Sequence, residues 1–595
     1  MSLNHYYQSE LTALRQLGKR FSERNPALAP FLGQRGRDPD VERLLEGFAF
    51  LTGRLRQKLD DQLPELTHSL MQLLWPNFMR PLPAFSMLQF DPSTQSGPAQ
   101  IIPRHTDVKS QPVQGVSCRF LTAFETEVLP LKLETLNYTG DGNGAVMTLR
   151  LTMTAEGHIG ELDLKKLRLH LAGEPYISQQ LYLSLNRHLS DVQLTLLDKD
   201  NTFLTNIDNE PARQSLGPAH ITPVGFAEEE ALLPYPLNTF RGYRYLQEYF
   251  AFPEKFLFVD LTVPELTRHQ PPELVEKACG IEVRFNFNTA PEQRIQPTLE
   301  NVRLYCTPIT NLFKHDASPI RLDGKEDRYL VKPKDHHGEH YAVFSVDRVS
   351  GWNLEEGGDI DYVLFESFEH DASFDVPTAK PYYSIHQEPS SIDNSLNTYL
   401  SFSTRNHEKT QTISLELTCT NQNLARELKE GDICLPGIGA PGLLSFRNIS
   451  QATPSYPPPL HRDYLWKLIS NMSLNYLSLA NVDALKVILE TYDLPGYYDP
   501  QAENISRKRL AGLKHIRHSR ADRLYRGLPV RGVCTHLTVD AEAYRDKGEL
   551  FLFASVLNEF FALYTSLNSF HQLQVESAQG ERYEWTPRMG QQSLL

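Results

Sequence analysis

Arg80-Pro81-Leu82-Pro83 is where the chain changes its pattern, and the residues on either side of it set the fold. Proline fixes φ and lacks an amide donor, so this stretch cannot continue a helix. Before it, apolar residues recur at helical spacing. Tyr7, Leu11, Leu14, Leu17 and Phe21 draw a stripe on one helical face, and Asn25-Pro26 ends it. Asp38-Pro39 then supplies a capping residue followed by proline at the first helical position, which predicts a second helix. Its stripe is Val41, Leu44, Leu45, Phe48, Leu51, Leu55 and Leu59. A third segment, Leu63 to Trp75, carries Leu66, Leu70, Leu73 and Leu74 and stops at Pro76. Helices this short need something to pack on, either each other or a partner's helices.

After the break the period drops to two. From Phe85 to about Asn288 the chain reads mainly as strands, such as Val146 to Thr154 (VMTLRLTMT), Leu167 to Leu171 and Val192 to Leu197. A second β-rich block follows from about Leu299 to Arg447, with Asn301 to Cys306, Tyr341 to Val346, Tyr362 to Phe365 and Thr412 to Thr418. Ala452 to Pro459 (ATPSYPPP) reads as a stiff proline-rich spacer. Helical spacing returns at Tyr464 to Leu479, Val482 to Leu489 and Glu549 to Leu567. The expected fold is mixed α and β and multi-domain. It comprises an N-terminal helical segment (1–80), two β-rich modules of sandwich or barrel type (81–298 and 299–451), and a proline linker with a C-terminal α/β domain (452–595).

Bulk properties agree with this division. A chain of 595 residues is too long for one core and suggests about three to five domains. The apolar fraction of 40% against 22% charged is that of a globular protein. Forty prolines imply many fixed turns and strand edges. The net charge of −14 argues against long-range attraction of the whole chain to nucleic acid. Met1 to Gln16 has no apolar signal region, and no apolar run approaches the roughly 18 residues of a membrane span. Six scattered cysteines without a CxxC pair read as buried free thiols of a reducing compartment. A soluble, intracellular protein is expected.

Local chemistry is sparse. His336, His337 and His340 stand in the order H-H-x-x-H beside Gly338, not in the H-E-x-x-H that places two ligands and a base on one helix face. Glu355 and Asp359, in the acidic run Trp352 to Asp361, would be an acid–base pair if a cleft held them, but the run reads as a solvated loop. Gly437-Ile438-Gly439-Ala440-Pro441-Gly442 fits G-x-G-x-x-G by letter. Pro441 and the strand-like residues after it argue against the helix a dinucleotide site needs. No catalytic residue, cofactor or metal is expected.

Two features point instead to contacts. From Gln501 to Gly532 nine Lys or Arg face only Glu503 and Asp522. Arg517, Arg520 and Arg523 lie at its centre, and few aromatics interleave with them as a single-strand nucleic-acid platform would need. An acidic protein surface, such as that of another copy of this net-acidic chain, is the expected partner. Tyr235 to Phe258 is the densest aromatic stretch and reads as a domain core or as buried interface anchors.

That stretch also carries a resemblance. Leu232 to Leu261 (LLPYPLNTFRGYRYLQEYFAFPEKFLFVDL) resembles the most characteristic block of the TssF family, also called VasA or ImpG, of type VI secretion baseplates. Asn4 to Gly33, Asp38 to Asp61, Asn301 to Asp323, Ser345 to Gly351 and Gly548 to Leu573 resemble further blocks in the family's order. The resemblance implies a structural wedge subunit in the cytoplasm, at a baseplate docked to the inner membrane. Implied partners are TssG, TssK, a second copy of the chain, and spike and sheath-associated components. Neither nucleic acid nor membrane insertion is implied. The apolar stripes, with this resemblance, lead to the expectation that Leu3 to Trp75 form a helical bundle with TssG and a second copy, the alternative being that the three helices fold back on the β body; Leu11, Leu14, Leu17, Leu44, Phe48, Leu51 and Leu55 are the expected seam. The competing readings are a β-rich enzyme acting on glycans through Glu355 and Asp359, and a nucleic-acid-binding module using 501–532.

Overall fold

The computed structural model describes residues 64–92, 99–141, 144–206, 209–235, 240–265, 270–289, 295–323, 326–335, 340–353, 358–367, 381–389, 396–403, 411–439, 444–460, 462–472, 481–525 and 527–590. Near the start it describes 7, 11, 12, 14, 40 and 43–52. The fold is mixed α and β, with two separate hydrophobic cores.

The larger body is built on an antiparallel six-stranded sheet in the order Ile433–Pro436, Asp107–Val113, Val116–Thr122, Cys306–Thr310, Phe85–Phe90, Phe446–Asn448. Phe90 thus pairs with Phe446, far away in sequence. A five-stranded sheet (Arg213–Leu216, Leu189–Leu197, Gly280–Phe287, Gly144–Met153, Leu131–Asp141) and a four-stranded one (Ile221–Pro223, Phe258–Thr262, Lys166–Leu171, Val302–Leu304) share its core. The run Asn301 to Cys306, expected as one strand, divides. Tyr305 takes a left-handed turn (φ 58°), so Val302–Leu304 and Cys306–Thr310 enter different sheets.

Residues 313–420 form the smaller body, inserted between strands of the first. One sheet orders Phe313–Asp316, Gln411–Thr420, Ala342–Asn353 and Gly358–Asp361; the other orders Tyr329–Leu330, Leu396–Ser403, Tyr382–Pro389 and Val363–Leu364. They enclose a core that includes Phe313, Val349, Leu400, Ile413 and Leu417. The segment 299–451 therefore contributes to both bodies, since Cys306–Thr310, Ile433–Pro436 and Phe446–Asn448 belong to the six-stranded sheet.

Among the described residues the longer helices are α1 (43–52), α2 (Pro64–Leu74), α3 (Pro175–Leu183), α4 (Gly242–Ala251), α5 (Arg462–Met472), α6 (Val482–Tyr492), α7 (Leu494–Tyr498), α8 (Pro500–Ala511) and α9 (Lys547–Ala562), with a single turn at Pro272–Val275. The proline-rich spacer is laid against the first strand rather than left free. Leu82 N–H donates to Tyr456 O (2.7 Å), Thr453 N–H donates to Phe85 O (2.8 Å), and the Tyr456 ring stacks on Tyr498. At the C-terminal end, Leu513–Tyr525 and Leu528–Val539 form an antiparallel hairpin. Helix α9 then crosses over, and Ser569–Ser577 returns parallel to Leu528–Val539.

Helix α9 is apolar on every side and buried almost throughout. Asp546 caps it by accepting from Glu549 N–H (2.9 Å). It packs against α3, α4 and the strand Ser569–Ser577. Phe551 stacks on Trp585, and Phe560 meets Phe240 and Tyr243. A Cβ on Gly548 would lie 2.5 Å from the backbone of Gln179, so only glycine lets α9 begin this close to α3. The aromatic stretch from Tyr235 to Phe258 is internal packing. Tyr243, Tyr249, Phe252, Phe256 and Phe258 are all buried.

Within that stretch sits a fully buried charge pair. Glu248 and Lys255 have no exposed side-chain surface and contact each other directly. The Glu248 carboxylate also accepts from the backbone amides of Leu232 (2.8 Å) and Leu233 (3.3 Å). Burial pushes the Lys255 ammonium down to about 8, against the opposing pull of Glu248. Removing one partner strands the other in low dielectric. Glu248→Gln is therefore expected to destabilise the fold by roughly 3–5 kcal/mol, and the double change Glu248→Gln, Lys255→Met to recover part of that loss; denaturant unfolding of the three proteins checks both.

Two buried histidines link stability to pH. His170 lies against Phe258 (4.4 Å between rings), and burial pushes its pKa down to about 3. Burial does the same at His571, again to about 3, with His518 adding repulsion. The unfolded chain binds these protons near pH 6.5, while the folded chain stays neutral until about 3. Stability is thus expected to fall as pH drops below 6.5, by about 1.4 kcal/mol per pH unit for each histidine. His170→Phe should flatten that slope between pH 6.5 and 5, measured as the shift in denaturant midpoint.

Candidate assembly interfaces

The N-terminal helices divide by what covers them. Helix α2 and the short 3-10 turn after it insert Met71, Trp75, Phe78 and Met79 into the main core. Trp75 meets Tyr243 edge-on, and Phe78 meets Tyr492. Helix α1 differs. Leu44 is 73% exposed, Phe48 56% and Leu51 60%, while Ala49 is buried. Leu44, Phe48 and Leu51 follow the i, i+4, i+7 spacing of one face, so the apolar face of α1 is turned outward. Leu11 is buried and Leu14 half-buried. Leu17 and Leu55 lie outside the described residues.

The basic segment folds as α8 followed by the hairpin. Arg517, Arg520 and Arg523 all lie exposed on the strand Leu513–Tyr525. Side chains alternate along a strand, so Arg517 and Arg523 share one face and Arg520 takes the other. Arg523 donates to Gln572 Oε1 (2.6 Å). On the same face Ser519 Oγ meets His536 Nε2 (2.9 Å). On the other face His518, Thr535 and His571 form a hydrogen-bonded chain with steps of 2.9 Å. The third strand begins its pairing at Arg531↔Ser569, so the hairpin tip extends beyond it. Leu524 (78%) and Leu528 (68%) stand exposed there, on either side of Gly527 with its φ of 82°. Sequence reading counted the cations and missed these leucines. The signal was present: a glycine flanked by leucines between two strand-like runs marks an apolar hairpin tip.

The chemistry candidates fall only partly within the described residues. His336, His337 and Glu355 lie outside the described residues. Asp359 sits on the strand Gly358–Asp361, opposite Trp352. Gly437 follows the strand Ile433–Pro436, and Gly439 turns with φ 79°. Among the described residues, no three His, Cys, Asp or Glu are placed to hold a metal ion, and no helix is long and apolar enough to cross a membrane. A cavity of about 470 Å³ opens at the start of α9, lined by Arg187, His188, Arg545 and Lys547 among others. Its charges are largely spent locally, Arg545 on Asp546 and Lys547 on Glu581.

Comparison with known proteins agrees with a role in assembly. The family model described as "Type VI secretion system, TssF" matches residues 1–592. The chain is 28% identical over 650 residues to "Type VI secretion system component TssF1" of Pseudomonas aeruginosa strain PAO1, covering 100% of this chain and 99% of that protein. A chain in a cryo-electron-microscopy structure of the type VI secretion TssK-TssF-TssG baseplate subcomplex superposes with a TM-score of 0.74 at 30% identity, covering 92% of this chain and 98% of that one. A chain in a structure of the type VI baseplate complex matches with a TM-score of 0.61 at 26% identity over 100% of both.

The contrast between α1 and α2 has a direct check. Leu44→Asp with Phe48→Asp puts charges on a face already in solvent, and should leave unfolding free energy within about 0.5 kcal/mol of the parent. Trp75→Ala, in the core, should cost roughly 3–5 kcal/mol.

Proposed function

Because the chain belongs to the TssF family of type VI secretion systems, we propose that it is the structural wedge subunit of a baseplate, built to hold other subunits rather than to transform a substrate. The observation that supports this reading is the likeness over 92% of the chain to a chain in a structure of the TssK-TssF-TssG baseplate subcomplex. TssG and TssK are its direct partners. A second copy of the chain, the spike and a sheath-associated component complete its surroundings, and the baseplate they form in the cytoplasm docks to the inner membrane.

The outward apolar face of α1 supports one part of this assignment. A helix of about three turns cannot hold itself together in water and needs a partner's surface over its apolar side. We assign Leu44, Phe48 and Leu51, with Leu11, Leu14, Leu17 and Leu55, to a helical bundle shared with TssG and a second copy. In this division α2 and the two β bodies are the anchored mass, and α1 is the arm. The basic hairpin, with Arg517, Arg520 and Arg523, contributes a further protein contact.

Co-expression with TssG and TssK followed by size-exclusion chromatography tests the reading. The three proteins are expected to elute together. Leu44→Asp with Phe48→Asp should remove TssG from the complex while the chain stays folded, because each buried unpaired charge costs several kcal/mol. A chain that elutes alone, or a double variant that still carries TssG, would overturn the respective assignment.

A further inference from the structure

The two most strongly charged parts of this molecule have opposite sign, and each carries exposed apolar groups. In the basic segment 501–532, nine Lys or Arg stand against two Asp or Glu, a balance of +7. Among the described residues of the smaller body, 313–420, eleven Asp or Glu stand against six Lys or Arg, a balance of −5. Arg517 and Arg520 on the hairpin are exposed, as are Asp316, Glu326 and Asp327 on the smaller body. Each of the two parts therefore presents charge at the surface of the chain.

We propose that the basic hairpin of one copy docks on the acidic 313–420 body of a second copy of this chain. Three features of the hairpin fit a docking element. Its strand Leu513–Tyr525 is the last in its sheet, so one edge carries no strand partner among the described residues. Its tip runs past the third strand and presents Leu524 and Leu528. Cations flank those leucines, which is the arrangement of an apolar anchor inside a charged rim. The acidic body offers the complement, with Trp352 47% and Phe365 52% exposed in the same module. The cations also exclude the simplest alternative. Lysine and arginine along a strand edge repel an identical edge, so two hairpins do not pair with each other, while an acidic surface is attracted.

The contact is heterologous. Each copy carries both halves, a hairpin and an acidic body, and the two halves are different surfaces. A variant lacking one half therefore still offers the other. This inference deepens the wedge reading and rests on it, but adds a contact that needs neither TssG nor TssK.

The test uses the full-length chain in two forms. One carries Arg517→Glu, Arg520→Glu and Arg523→Glu; the other carries Asp316→Lys, Glu326→Lys and Asp327→Lys. All six positions are exposed, and unchanged melting of each variant verifies its fold. By sedimentation velocity at low salt the parent is expected to self-associate, with affinity weakened about tenfold or more in high salt. Each variant alone should remain a monomer. Their mixture should give a one-to-one dimer, because the intact acidic body of the first meets the intact hairpin of the second. Carbodiimide cross-linking of mixed isotope-labelled copies should join Lys514 of one copy to acids within 313–420 of the other.

A parent that stays monomeric without such cross-links, both alone and in a TssG-TssK complex, overturns the inference. So does a mixture that fails to associate, or a hairpin whose measurable binding is to DNA alone. Loss of the inter-copy contact with TssG and TssK still co-eluting leaves the wedge reading standing and removes only this step. A chain that binds neither TssG nor TssK removes the wedge reading.

Discussion

The burial of helix α9 is the constraint on which the larger body depends. A helix apolar on one stripe can sit at a surface, but one apolar all round must be enclosed. Leu550, Phe551, Leu552, Phe553, Val556, Leu557, Phe560 and Phe561 cover its circumference and are all buried. Each such side chain gains about 1.5–3 kcal/mol by leaving water. No single sheet can cover them. Helices α3 and α4 take one part of the surface and the strand Ser569–Ser577 takes another. The C-terminal βαβ unit and the helices of the N-terminal β region are thereby locked into one core, although the smaller body lies between them in sequence. Gly548 sets how near α9 can come, and Asp546 fixes where it begins.

Next to this apolar bolt the chain buries full charges, and the two facts belong together. Glu248 lies on α4, the helix against which α9 packs, and Lys255 on the turn that follows it. Their pairing, with the amides of Leu232 and Leu233, closes a loop that would otherwise leave backbone donors in a dry core. Arg168 does similar work nearby, bridging Asp260 (2.7 Å) and Glu230 (3.1 Å). Buried pairs of this kind add little net stability over apolar packing, but a shifted register leaves them unpaired at high cost. They make the alternatives expensive. Such specificity suits a part that must present the same outer faces every time.

Much of this architecture was legible in the sequence. The strand at Gly144–Met153, the helices α2, α6 and α9, and the change at Arg80 to Pro83 all follow from local period, which a side chain's position on a helix or strand dictates. What was not legible is tertiary. Nothing local tells Phe90 to pair with Phe446, so the mixed ancestry of the six-stranded sheet stayed hidden. Tyr305 breaks a run of good strand formers with one backbone angle that periodicity does not encode. The spacer from Ala452 to Pro459 was read by stiffness alone, yet its carbonyl and amide groups bond the first strand. Of the expected seam, Leu44, Phe48 and Leu51 share one exposed face, as their spacing implies. That α2 turns inward while α1 turns outward depends on Trp75 reaching Tyr243, which no stripe reveals.

The division between inward and outward apolar surface explains how a scaffold can be both rigid and available. Where an apolar stripe meets a complementary core, as in α2 and α9, it becomes part of the body. Where it does not, as in α1 and at the hairpin tip, it stays in water at a cost in solubility that the surrounding charge must offset. The net charge of −14 keeps copies apart in general, since like-charged bodies repel over a Debye length. The basic hairpin is a local exception to that repulsion. In the docking proposed above, charge would select the orientation of approach, and the tip leucines, exposed in the single chain, would hold it once covered.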